Sequence, residues 1–387
     1  MNEMTNQQPE SNICRVLLTG SEGFIGKNLS LSLSENRHIN VRSFVHGNDP
    51  SKLADILSEV DVVIHLAGVN RPVHEQSFSD VNIGLTNAIC ESIKSQALVS
   101  GRLVSLIFAS STQAELDNPY GRSKLKAEHL VKNLANETGT RVVIFRFPGV
   151  FGKWCKPNYN SVVATFCYNL TRGLPIFVHD HNALLKLVYI DDVVKAILNE
   201  LVDIKKKGGV TLGVVQPEYT ITLGELVALF KRFEQYHENL AIERTGIGLV
   251  RALYSTYISY LPPERFINNL PQHADDRGVF VEMIKTKDSG QFSFFSVKPG
   301  VTRGSHYHHS KTEKFLVLRG LTLMQFRNLI TGEVYSIKLT GEKPQVVDSI
   351  PGWAHNITNI GNEEVLVMIW ANEVFDPQNP DCVPCEV

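Results

Sequence analysis

The stretch TGSEGFIG, residues 19–26, follows the apolar run RVLLT at residues 15–19 and opens a segment with helical periodicity. A strand, a glycine-rich turn and a helix in this order are typical of a dinucleotide-binding unit. In such a unit Gly20 makes the tight turn, Gly23 lets backbone N–H groups approach a pyrophosphate, and Gly26 lets the helix pack closely. The helix N-terminus adds partial positive charge for the phosphates. The stretch therefore predicts a dinucleotide site; a similar loop without a cofactor is the alternative.

The front half of the chain continues to alternate short apolar runs with helical stretches. Such alternation predicts a parallel sheet with helices on both faces. From about residue 262 the pattern changes to short strand-like runs separated by Gly or Pro, which is typical of an antiparallel barrel or jelly roll. The expected fold class is α/β: a Rossmann-type doubly wound parallel sheet followed by an all-β domain. The predicted helix after the glycines is 24–35, and the later front strands are 41–46, 61–67, 103–109 and 141–147.

The length of the chain predicts more than one domain. It has 387 residues, of which 43% are hydrophobic and 20% are charged, as in globular proteins. We expect a disordered tail over residues 1–13, a dinucleotide-binding domain over 14–243, a connector over 244–270 and an all-β domain over 271–387. The connector is predicted from the helical spacing of its apolar and aromatic residues.

Composition limits the classes of partner. The net charge of -2 gives no case for nucleic acid, and no apolar run approaches the length of a membrane span. The N-terminus has no cationic region followed by an apolar stretch, so we expect a cytoplasmic protein. The six cysteines are scattered and are expected to be reduced thiols. Cys382 and Cys385 form a lone C-x-x-C pair, which is weak evidence for a metal or redox site.

The end of the second predicted strand bears on the choice of cofactor. NAD sites usually carry an acidic residue there, which binds the ribose 2′-hydroxyl. Here the strand ends Phe-Val-His-Gly at residues 44–47, without a carboxylate. Arg42 and His46 are placed to bind a 2′-phosphate, so we expect NADPH. The alternative is that both residues are ordinary surface positions.

A tyrosine and a lysine form the candidate catalytic pair. Tyr120 and Lys124, in the stretch YGRSK, lie four residues apart and therefore on one face of a predicted helix. A nearby ammonium stabilises a phenolate, so this tyrosine can exchange a proton with a carbonyl oxygen. Ser110 and Ser111 follow a predicted strand, and open parallel sheets bind ligands at the carboxyl ends of their strands. A hydroxyl at either position can hydrogen-bond the same substrate oxygen.

These motifs make the front half similar to an extended short-chain dehydrogenase/reductase that acts on nucleotide sugars. The similarity rests on TGSEGFIG, DVVIHLAG, the Ser-Ser strand end, YGRSK and VYIDDV. It implies that Ser111 (with Ser110 as the fallback), Tyr120 and Lys124 are catalytic, and that residues 146–150 lie near nicotinamide and substrate. Lys124 would also bind the nicotinamide ribose. The other cofactor-binding residues that it implies are Gly20, Gly23, Phe24, Ile25, Gly26, Leu66, Ala67 and Gly68.

The rear half carries a pattern typical of metal ligands. Residues 300–320 fit G-x5-H-x-H-x4-E-x6-G, the first motif of a cupin, and residues 355–359 fit the end of the second. Two histidines separated by one residue point to one face of a strand, where a carboxylate and a third histidine can join them. Nitrogen and oxygen ligands suit Zn, Fe, Mn or Ni, among which we expect zinc. The predicted ligands are His306, His308, Glu313 and His355.

Other interpretations of this pattern stay open. The histidines could form a surface patch or belong to the core. A bulge in the strand would exchange His308 for His309, which is otherwise out of phase. The second cupin motif usually reads P-x-G-x-x-H, and here Pro351 is displaced by one position, which leaves the placement of His355 open.

A reductase followed by a cupin resembles the bifunctional capsule-polysaccharide enzymes of the CapF type. The similarity extends over nearly the whole chain and includes residues 151–161 and 372–377. It implies a homodimer, a UDP-activated deoxysugar substrate and two steps. The cupin would epimerise C3 of a UDP-2-acetamido-2,6-dideoxy-4-hexulose. The reductase would then reduce C4 with NADPH to UDP-2-acetamido-2,6-dideoxy-L-talose, in the pathway to UDP-N-acetyl-L-fucosamine for capsule or O-antigen.

Three other functions compete with this one. In one of them the cupin is a structural, dimerising module without chemistry, which leaves a one-step reductase. A nucleotide-sugar 4-epimerase or 4,6-dehydratase would use the same Tyr-Lys pair but retain NAD. A sugar-binding module without chemistry would leave the Tyr-Lys pair without a role.

Several residue roles also stay open. The metal either stabilises an enolate or holds the fold together. The candidates for the base at C3 are His309, Tyr307 and Lys314. The candidate contacts to the sugar and its diphosphate are Asn70, Arg71, Lys153, Lys156 and Arg172.

Overall fold

The computed structural model describes residues 13–45, 47–72, 74–202, 208–270, 272–275, 278–281, 284–286, 290–373, 376 and 378–387. Internal contacts divide the chain into two compact units. The first comprises Met1–Pro148 and Asp192–Pro217, and the second comprises Gly149–Asp191 and Glu218–Val387. Among the described residues, no helix is both long and apolar enough to cross a membrane.

The first unit is built on a parallel sheet. Its strands pair in the order β2-β1-β3-β4-β5-β8, and every pair is parallel. A second, three-stranded sheet has the order β6-β7-β9 and belongs to the second unit. These strands are β1 (Cys14–Thr19), β2 (Ile39–Phe44), β3 (Val62–His65), β4 (Ser105–Ser111), β5 (Arg141–Phe147), β6 (Gly149–Phe151), β7 (Leu184–Tyr189), β8 (Gly209–Gly213) and β9 (Tyr219–Thr222).

Helices connect these strands, and local sequence explains where they begin and end. The longest of them begins after Asn118, whose side chain accepts a hydrogen bond from the Gly121 N–H at 2.8 Å, and ends at Gly139 in the left-handed conformation. The helices are α1 (Phe24–Ser34), α2 (Leu53–Ser58), α3 (Thr86–Ser100), α4 (Pro119–Thr138), α5 (Val162–Leu170), α6 (Ile190–Val202), α7 (Leu223–Glu234), α8 (Tyr236–Asn239) and α9 (Gly248–Ser259).

The four central parallel strands, β1, β3, β4 and β5, are short apolar runs that are largely buried. All seven residues of β4 are buried, as expected of a strand that is covered by helices on each side. The second strand begins and ends two residues earlier than the predicted range 41–46, and the fourth extends to Ser111 rather than to residue 109. The predicted doubly wound parallel sheet is therefore confirmed, with small shifts at strand ends.

The C-terminal part of the second unit contains two five-stranded antiparallel sheets and two further pairs of short strands. Their strand orders are β11-β20-β17-β22-β15 and β19-β18-β21-β16-β23. The predicted all-β domain is therefore confirmed. The strands are β10 (Ala241–Ile242), β11 (Ile267–Asn269), β12 (Gln272–Asp275), β13 (Gly278–Val281), β14 (Lys285–Thr286), β15 (Gln291–Val297), β16 (Thr302–Tyr307), β17 (Glu313–Arg319), β18 (Leu321–Asn328), β19 (Val334–Thr340), β20 (Gln345–Asp348), β21 (Trp353–Asn359), β22 (Val365–Ala371) and β23 (Val383–Pro384).

The predicted connector contains α9, which lies inside the second unit. Tyr254 and Tyr257 of α9 are almost completely buried and pack against Phe233 of α7, with ring centroids 5.1 and 5.8 Å apart. The residues that follow β5, from Gly149 to Asp191, belong to the same unit as the all-β sheets. The linear boundaries at residues 243 and 270 stay predictions.

Candidate active site and metal centre

The glycine turn follows the carboxyl end of β1 and lies against residues 66 and 67, just after the carboxyl end of β3. Gly20 has a φ of 72°, and a side chain there would place its Cβ 2.7 Å from the Ala67 nitrogen. A Cβ on Gly26 would lie 2.0 Å from the Gly20 carbonyl oxygen, so α1 packs directly on the turn. Gly23 caps α1, and no side chain of the described residues bonds to that cap. The first N–H groups of α1, including those of Phe24 and Ile25, are therefore oriented for an anion such as a pyrophosphate.

A buried chain of hydrogen bonds supports this edge of the sheet. Ala67 N–H donates to Thr19 Oγ1 at 3.2 Å, and Thr19 Oγ1 lies 2.7 Å from His65 Nδ1. His65 Nε2 lies 2.9 Å from Thr86 Oγ1, which donates to the Asn82 carbonyl at 2.7 Å. The Asn82 carbonyl can only accept, so the Thr86 hydroxyl uses its proton there and accepts a hydrogen bond from His65 Nε2–H. His65 is neutral.

The environment of His65 keeps it neutral. Burial lowers the pKa of His65 to about 3, and the charge of Lys124 adds to the effect. The ring therefore acts as a fixed bridge between two threonines rather than as an acid or base. This bridge could not be predicted from the sequence, because Thr19 and Thr86 are distant from His65 in the chain.

The two neighbouring serines at the end of β4 have different partners. Ser110 donates to Glu128 Oε1 at 2.6 Å, and Arg146 also binds that carboxylate through two bonds of 2.8 Å. Ser111 accepts from the Gln113 N–H at 3.2 Å, and its hydroxyl donates to no acceptor among the described residues. Ser111 is thus the better placed of the two to donate to a substrate oxygen.

Lys124 of α4 contacts the same strand, β4. Its Nζ donates to the Ala109 carbonyl at 2.8 Å, and a Cβ added to Gly68 would lie 3.3 Å from it. Burial lowers the pKa of Lys124 to about 8, and the Glu128 carboxylate partly opposes the shift. Tyr120 is in the first turn of the same helix, with its ring centroid 6.0 Å from that of Phe78.

The residues around Tyr120 hold it near the end of β4. A Cβ on Gly121 would lie 2.2 Å from the Gln113 carbonyl, so α4 packs directly on the turn that follows Ser111. Phe78 belongs to a π-helix, Phe78–Leu85, and π-helical turns are frequent at functional sites. Asn82 of that helix bonds to both the N–H and the carbonyl of Val69, at 2.8 and 2.9 Å.

The residues predicted to bind the 2′-phosphate and the sugar in this unit have varied surroundings. Arg42 is exposed and forms an ion pair with Glu59 at 2.7 Å. His46 lies outside the described residues. Asn70 has a buried Oδ1 without a hydrogen-bond partner among the described residues, and Arg71 is exposed. The roles of these four residues stay predictions.

Three predicted substrate contacts belong to the second unit. Lys153 is 1% exposed, with its Nζ 2.7 Å from Asp191 Oδ1. Lys156 lies over the ring of Tyr159 at 5.4 Å. Arg172 donates to the Tyr260 carbonyl at 3.0 Å. Lys153 and Arg172 are thus engaged within the protein, and the binding of a diphosphate by any of the three stays a prediction.

The predicted metal ligands converge in the C-terminal sheets. One ligand atom from each of the four predicted residues lies within 4.8 Å of the others. A shift in register between Gly304 and His306 bends β16. The strand then ends at Tyr307, and His308 still reaches the group, whereas the His309 ring packs edge-on against Tyr307 with ring centroids 5.4 Å apart. The group consists of His306, His308, Glu313 and His355.

The chemistry of this group fits a divalent cation. His308 Nδ1 donates to the Asp381 carbonyl, and its Nε2 lies 3.0 Å from Glu313 Oε2. Two acceptors at that distance require a cation, which is either a proton on the imidazole or a metal ion. Both ring nitrogens of His355 are buried without a hydrogen-bond partner in the described part of the chain, and its Nε2 lies 3.5 Å from the same carboxylate oxygen. Such orphaned nitrogens are expected of metal ligands.

The candidates for a base at C3 lie near this group. Lys314 is buried and ion-paired with Asp348. Burial alone lowers the pKa of Lys314, but the Asp348 carboxylate outweighs it and raises the pKa. Tyr307 is 2% exposed, and its hydroxyl has no partner among the described residues. Lys314 is therefore the least suited of the three to accept a proton.

Comparison with known proteins agrees with both parts of the chain. Residues 16–211 match the NAD dependent epimerase/dehydratase family, and residues 273–383 match the polysaccharide biosynthesis C-terminal domain. A UDP-2-acetamido-2,6-beta-L-arabino-hexul-4-ose reductase from Pseudomonas aeruginosa is 49% identical over 96% of this chain and 99% of its own length.

Solved structures give the same result. The capsular polysaccharide assembling protein CapF from Staphylococcus aureus is 39% identical, with a TM-score of 0.63 over 96% of this chain and 100% of that chain. CapF with the inhibitor 3-isopropenyl-tropolone is 35% identical, with a TM-score of 0.59 over the same shares of the two chains. The chain therefore belongs to the NAD-dependent epimerase/dehydratase family, and within it to the CapF type, in which an all-β domain follows the nicotinamide-binding domain.

Proposed function

We propose that this chain reduces the C4 ketone of a UDP-2-acetamido-2,6-dideoxy-4-hexulose with NADPH, after its C-terminal domain has epimerised C3. The product is UDP-2-acetamido-2,6-dideoxy-L-talose, in the pathway to UDP-N-acetyl-L-fucosamine for capsule or O-antigen. The proposal is supported by three contacts at β4: Lys124 donates to the Ala109 carbonyl, Ser111 is the last residue of the strand, and Gly121, next to Tyr120, packs on the turn that follows it. The 49% identical reductase from Pseudomonas aeruginosa supports the substrate class.

In the reduction, the chain supplies the proton and orients the ketone. Bound NADPH provides the hydride for C4. Tyr120 donates its hydroxyl proton to the ketone oxygen, and Ser111 donates a hydrogen bond to the same oxygen. The Lys124 ammonium stabilises the phenolate that Tyr120 becomes. Arg42 and His46 are proposed to bind the 2′-phosphate, because the end of β2 has no carboxylate to repel it.

The epimerisation precedes reduction for a chemical reason. The C4 ketone makes the C3 hydrogen acidic, so a base can remove it and a proton can return on the opposite face. Reduction removes the ketone and thereby fixes the configuration at C3. A divalent metal, which we expect to be zinc, would supply positive charge for an enolate oxygen. His306 is the most accessible of the four predicted ligands, since the other three are buried.

The test is proton NMR of the UDP-4-keto sugar with the purified full chain in D2O, without NADPH. Deuterium at C3 is expected, because enolate formation needs no hydride. Tyr120→Phe should keep this exchange and lose at least about a hundredfold in reduction rate. His306→Ala should lose this exchange and keep the reduction of a substrate supplied with C3 already epimerised, so that each variant controls for the other. The absence of exchange in the wild-type protein would remove the epimerase half of the proposal.

A second function is favoured by the burial of the metal ligands. His308, Glu313 and His355 are 1%, 6% and 2% exposed, which suits a structural metal as well as a catalytic one. The chain would then be a one-step reductase with a structural C-terminal domain. Unchanged reduction without C3 exchange would establish this alternative. A 4-epimerase or dehydratase would recycle its cofactor, so net consumption of NADPH excludes both.

The proposal includes a cytoplasmic location and a homodimer, the latter carried over from the resemblance to CapF. Light scattering during size-exclusion chromatography of the full chain tests the assembly. A mass of twice 43.2 kDa is expected.

A further inference from the structure

One carboxylate near the C-terminus holds three consecutive backbone N–H groups beside the predicted metal ligands. Asp381 accepts from the N–H groups of His309, Ser310 and Lys311, each at 2.7 Å, and from Ser310 Oγ at 3.0 Å. Charge-assisted bonds of this kind are about twice as strong as bonds between neutral groups.

The main chain of the same residue orients a predicted ligand. The Asp381 carbonyl accepts from His308 Nδ1–H, which fixes the tautomer and leaves the Nε2 lone pair facing Glu313. Metal-binding histidines commonly have such a partner on the second ring nitrogen, which orients the ring. Asp381 thus contacts both the ring of His308 and the backbone of the three residues after it.

The loop from His308 to Lys311 is held from a second side by α9. Arg251 donates to Ser310 Oγ and also contacts Glu373 Oε2 at 3.1 Å. Ser255 donates to the Ser310 carbonyl. The loop is therefore bound on one side by the C-terminal segment and on the other by a helix, with Ser310 in contact with both.

The C-terminal segment is itself anchored to the strand that carries His306. The short strand β23 pairs with β16, with Pro384 opposite His306. Cys385 N–H donates to the Ser305 carbonyl at 2.8 Å. This pairing holds Asp381 next to the loop and gives the chain end a structural role, independent of the thiols of the C-x-x-C pair.

We propose that Asp381 is a positioning residue for the metal centre: its carboxylate fixes the loop after His308, and its carbonyl fixes the tautomer of the His308 ring. The proposal rests on the metal site proposed above. No sequence motif for metal ligands includes this residue, which lies 73 positions after His308. Substitution of partners that orient metal ligands typically weakens metal binding about 10- to 100-fold.

The test uses the metal-free full chain, titrated with Co²⁺ and, in competition with a chromophoric chelator, with Zn²⁺. Asp381→Asn retains the carbonyl but replaces one acceptor oxygen by an NH2 group that faces N–H donors. We expect its dissociation constant for Zn²⁺ to rise about 10- to 100-fold and its Co²⁺ absorption spectrum to change. Asp381→Glu, which retains the charge, should recover part of the affinity.

The matched control is Asp376→Asn, the same change on an exposed residue of the same segment, whose carboxylate accepts from the Gln378 N–H at 2.9 Å. It should bind Co²⁺ and Zn²⁺ like the wild-type chain.

Should Asp381→Asn fail to fold, Ser310→Ala replaces it, and a several-fold weaker Zn²⁺ affinity is expected because one contact on each side of the loop is lost. Wild-type affinity and spectrum in a folded Asp381 variant would overturn the positioning role alone. Failure of the wild-type chain to bind either ion would overturn the metal site as well.

Discussion

Ser110 and Ser111 are adjacent in the sequence, yet their hydroxyl groups serve different partners. Ser110 is bound to the buried Glu128, whereas the Ser111 hydroxyl accepts from the Gln113 N–H and donates to no acceptor among the described residues. Burial alone raises the pKa of Glu128, but its bonds to Arg146, Ser110 and Lys132 outweigh it and lower the pKa to about 2. Either serine fits the sequence motif. The hydrogen bonds distinguish Ser110, a structural donor, from Ser111, the candidate catalytic donor.

We therefore expect opposite consequences from the two alanine substitutions. Ser111→Ala should lower kcat about a hundredfold, since a donor to the developing oxyanion is lost, and should change the free energy of unfolding little. Ser110→Ala should lower the free energy of unfolding by about 1.5–3 kcal/mol, because a charged buried group loses a hydrogen bond. Steady-state kinetics and urea unfolding of both variants measure this. Equal loss of kcat in both would contradict the assignment.

The lowered pKa of Lys124 predicts how activity depends on pH. The ammonium is present below about pH 8 and is lost as pH rises through that value. Because kcat/KM reports on the free enzyme, kcat/KM for reduction should fall above pH 8, by up to about tenfold per pH unit. The pH profile of Lys124→Met, which cannot titrate, should lie lower and lack this descent. A wild-type profile that stays level to pH 9.5 would contradict the role of the ammonium.

The same shift has a consequence for stability with the opposite sign. The folded chain binds fewer protons at Lys124 than the unfolded chain does, between the pKa of about 8 and the ordinary value of 10.5. The contribution of this group to the free energy of unfolding therefore rises with pH across that window. Loss of activity above pH 8 would thus not be explained by unfolding caused by Lys124.

At the scale of single elements, α1 depends on close backbone contact with the glycine turn. A Cβ on Gly26 would lie 2.0 Å from the Gly20 carbonyl, whereas a Cβ on Gly84, in the π-helix, would lie 3.6 Å from its nearest neighbour, the Ser79 carbonyl. Gly26→Ala should therefore displace the helix N-terminus and raise the dissociation constant for NADPH by about tenfold or more, since overpacking costs about 1–3 kcal/mol. Gly84→Ala is the matched control and should bind normally. Fluorescence titration with NADPH measures both, and normal binding by Gly26→Ala would contradict the packing argument.

The element scale also shows what sequence patterns can predict. The parallel strands and the glycine turn were predictable because an apolar run and its turn are contiguous in the chain. The metal group was predictable because three of its members lie within a short stretch. The His65 bridge and the contacts of Asp381 were not predictable, because only folding brings their partners together. Thr19 lies 46 positions before His65, and His309 lies 72 positions before Asp381.

At the scale of the whole molecule, the glycine turn with the Tyr-Lys pair belongs to one compact unit and the predicted metal ligands belong to the other. Every residue of the glycine turn and the Tyr-Lys pair falls in Met1–Pro148, and all four predicted metal ligands fall in Glu218–Val387. Ligands that bind only a folded unit stabilise that unit in proportion to the logarithm of their concentration over Kd. Two ligands that bind different units should therefore act on different parts of the unfolding transition.

This separation can be measured by calorimetry of the metal-free chain, with Zn²⁺, NADPH or both added. We expect Zn²⁺ to raise the unfolding temperature of one component and NADPH that of the other, because a ligand at 100 times its Kd adds about 2.7 kcal/mol to the unit that binds it. His355→Ala should lose the response to Zn²⁺, since a buried ligand is missing, and keep the response to NADPH. Gly26→Ala should show the reverse. A response to Zn²⁺ that survives in His355→Ala would indicate binding elsewhere on the surface, and a single transition moved equally by both ligands would show that the two units unfold as one.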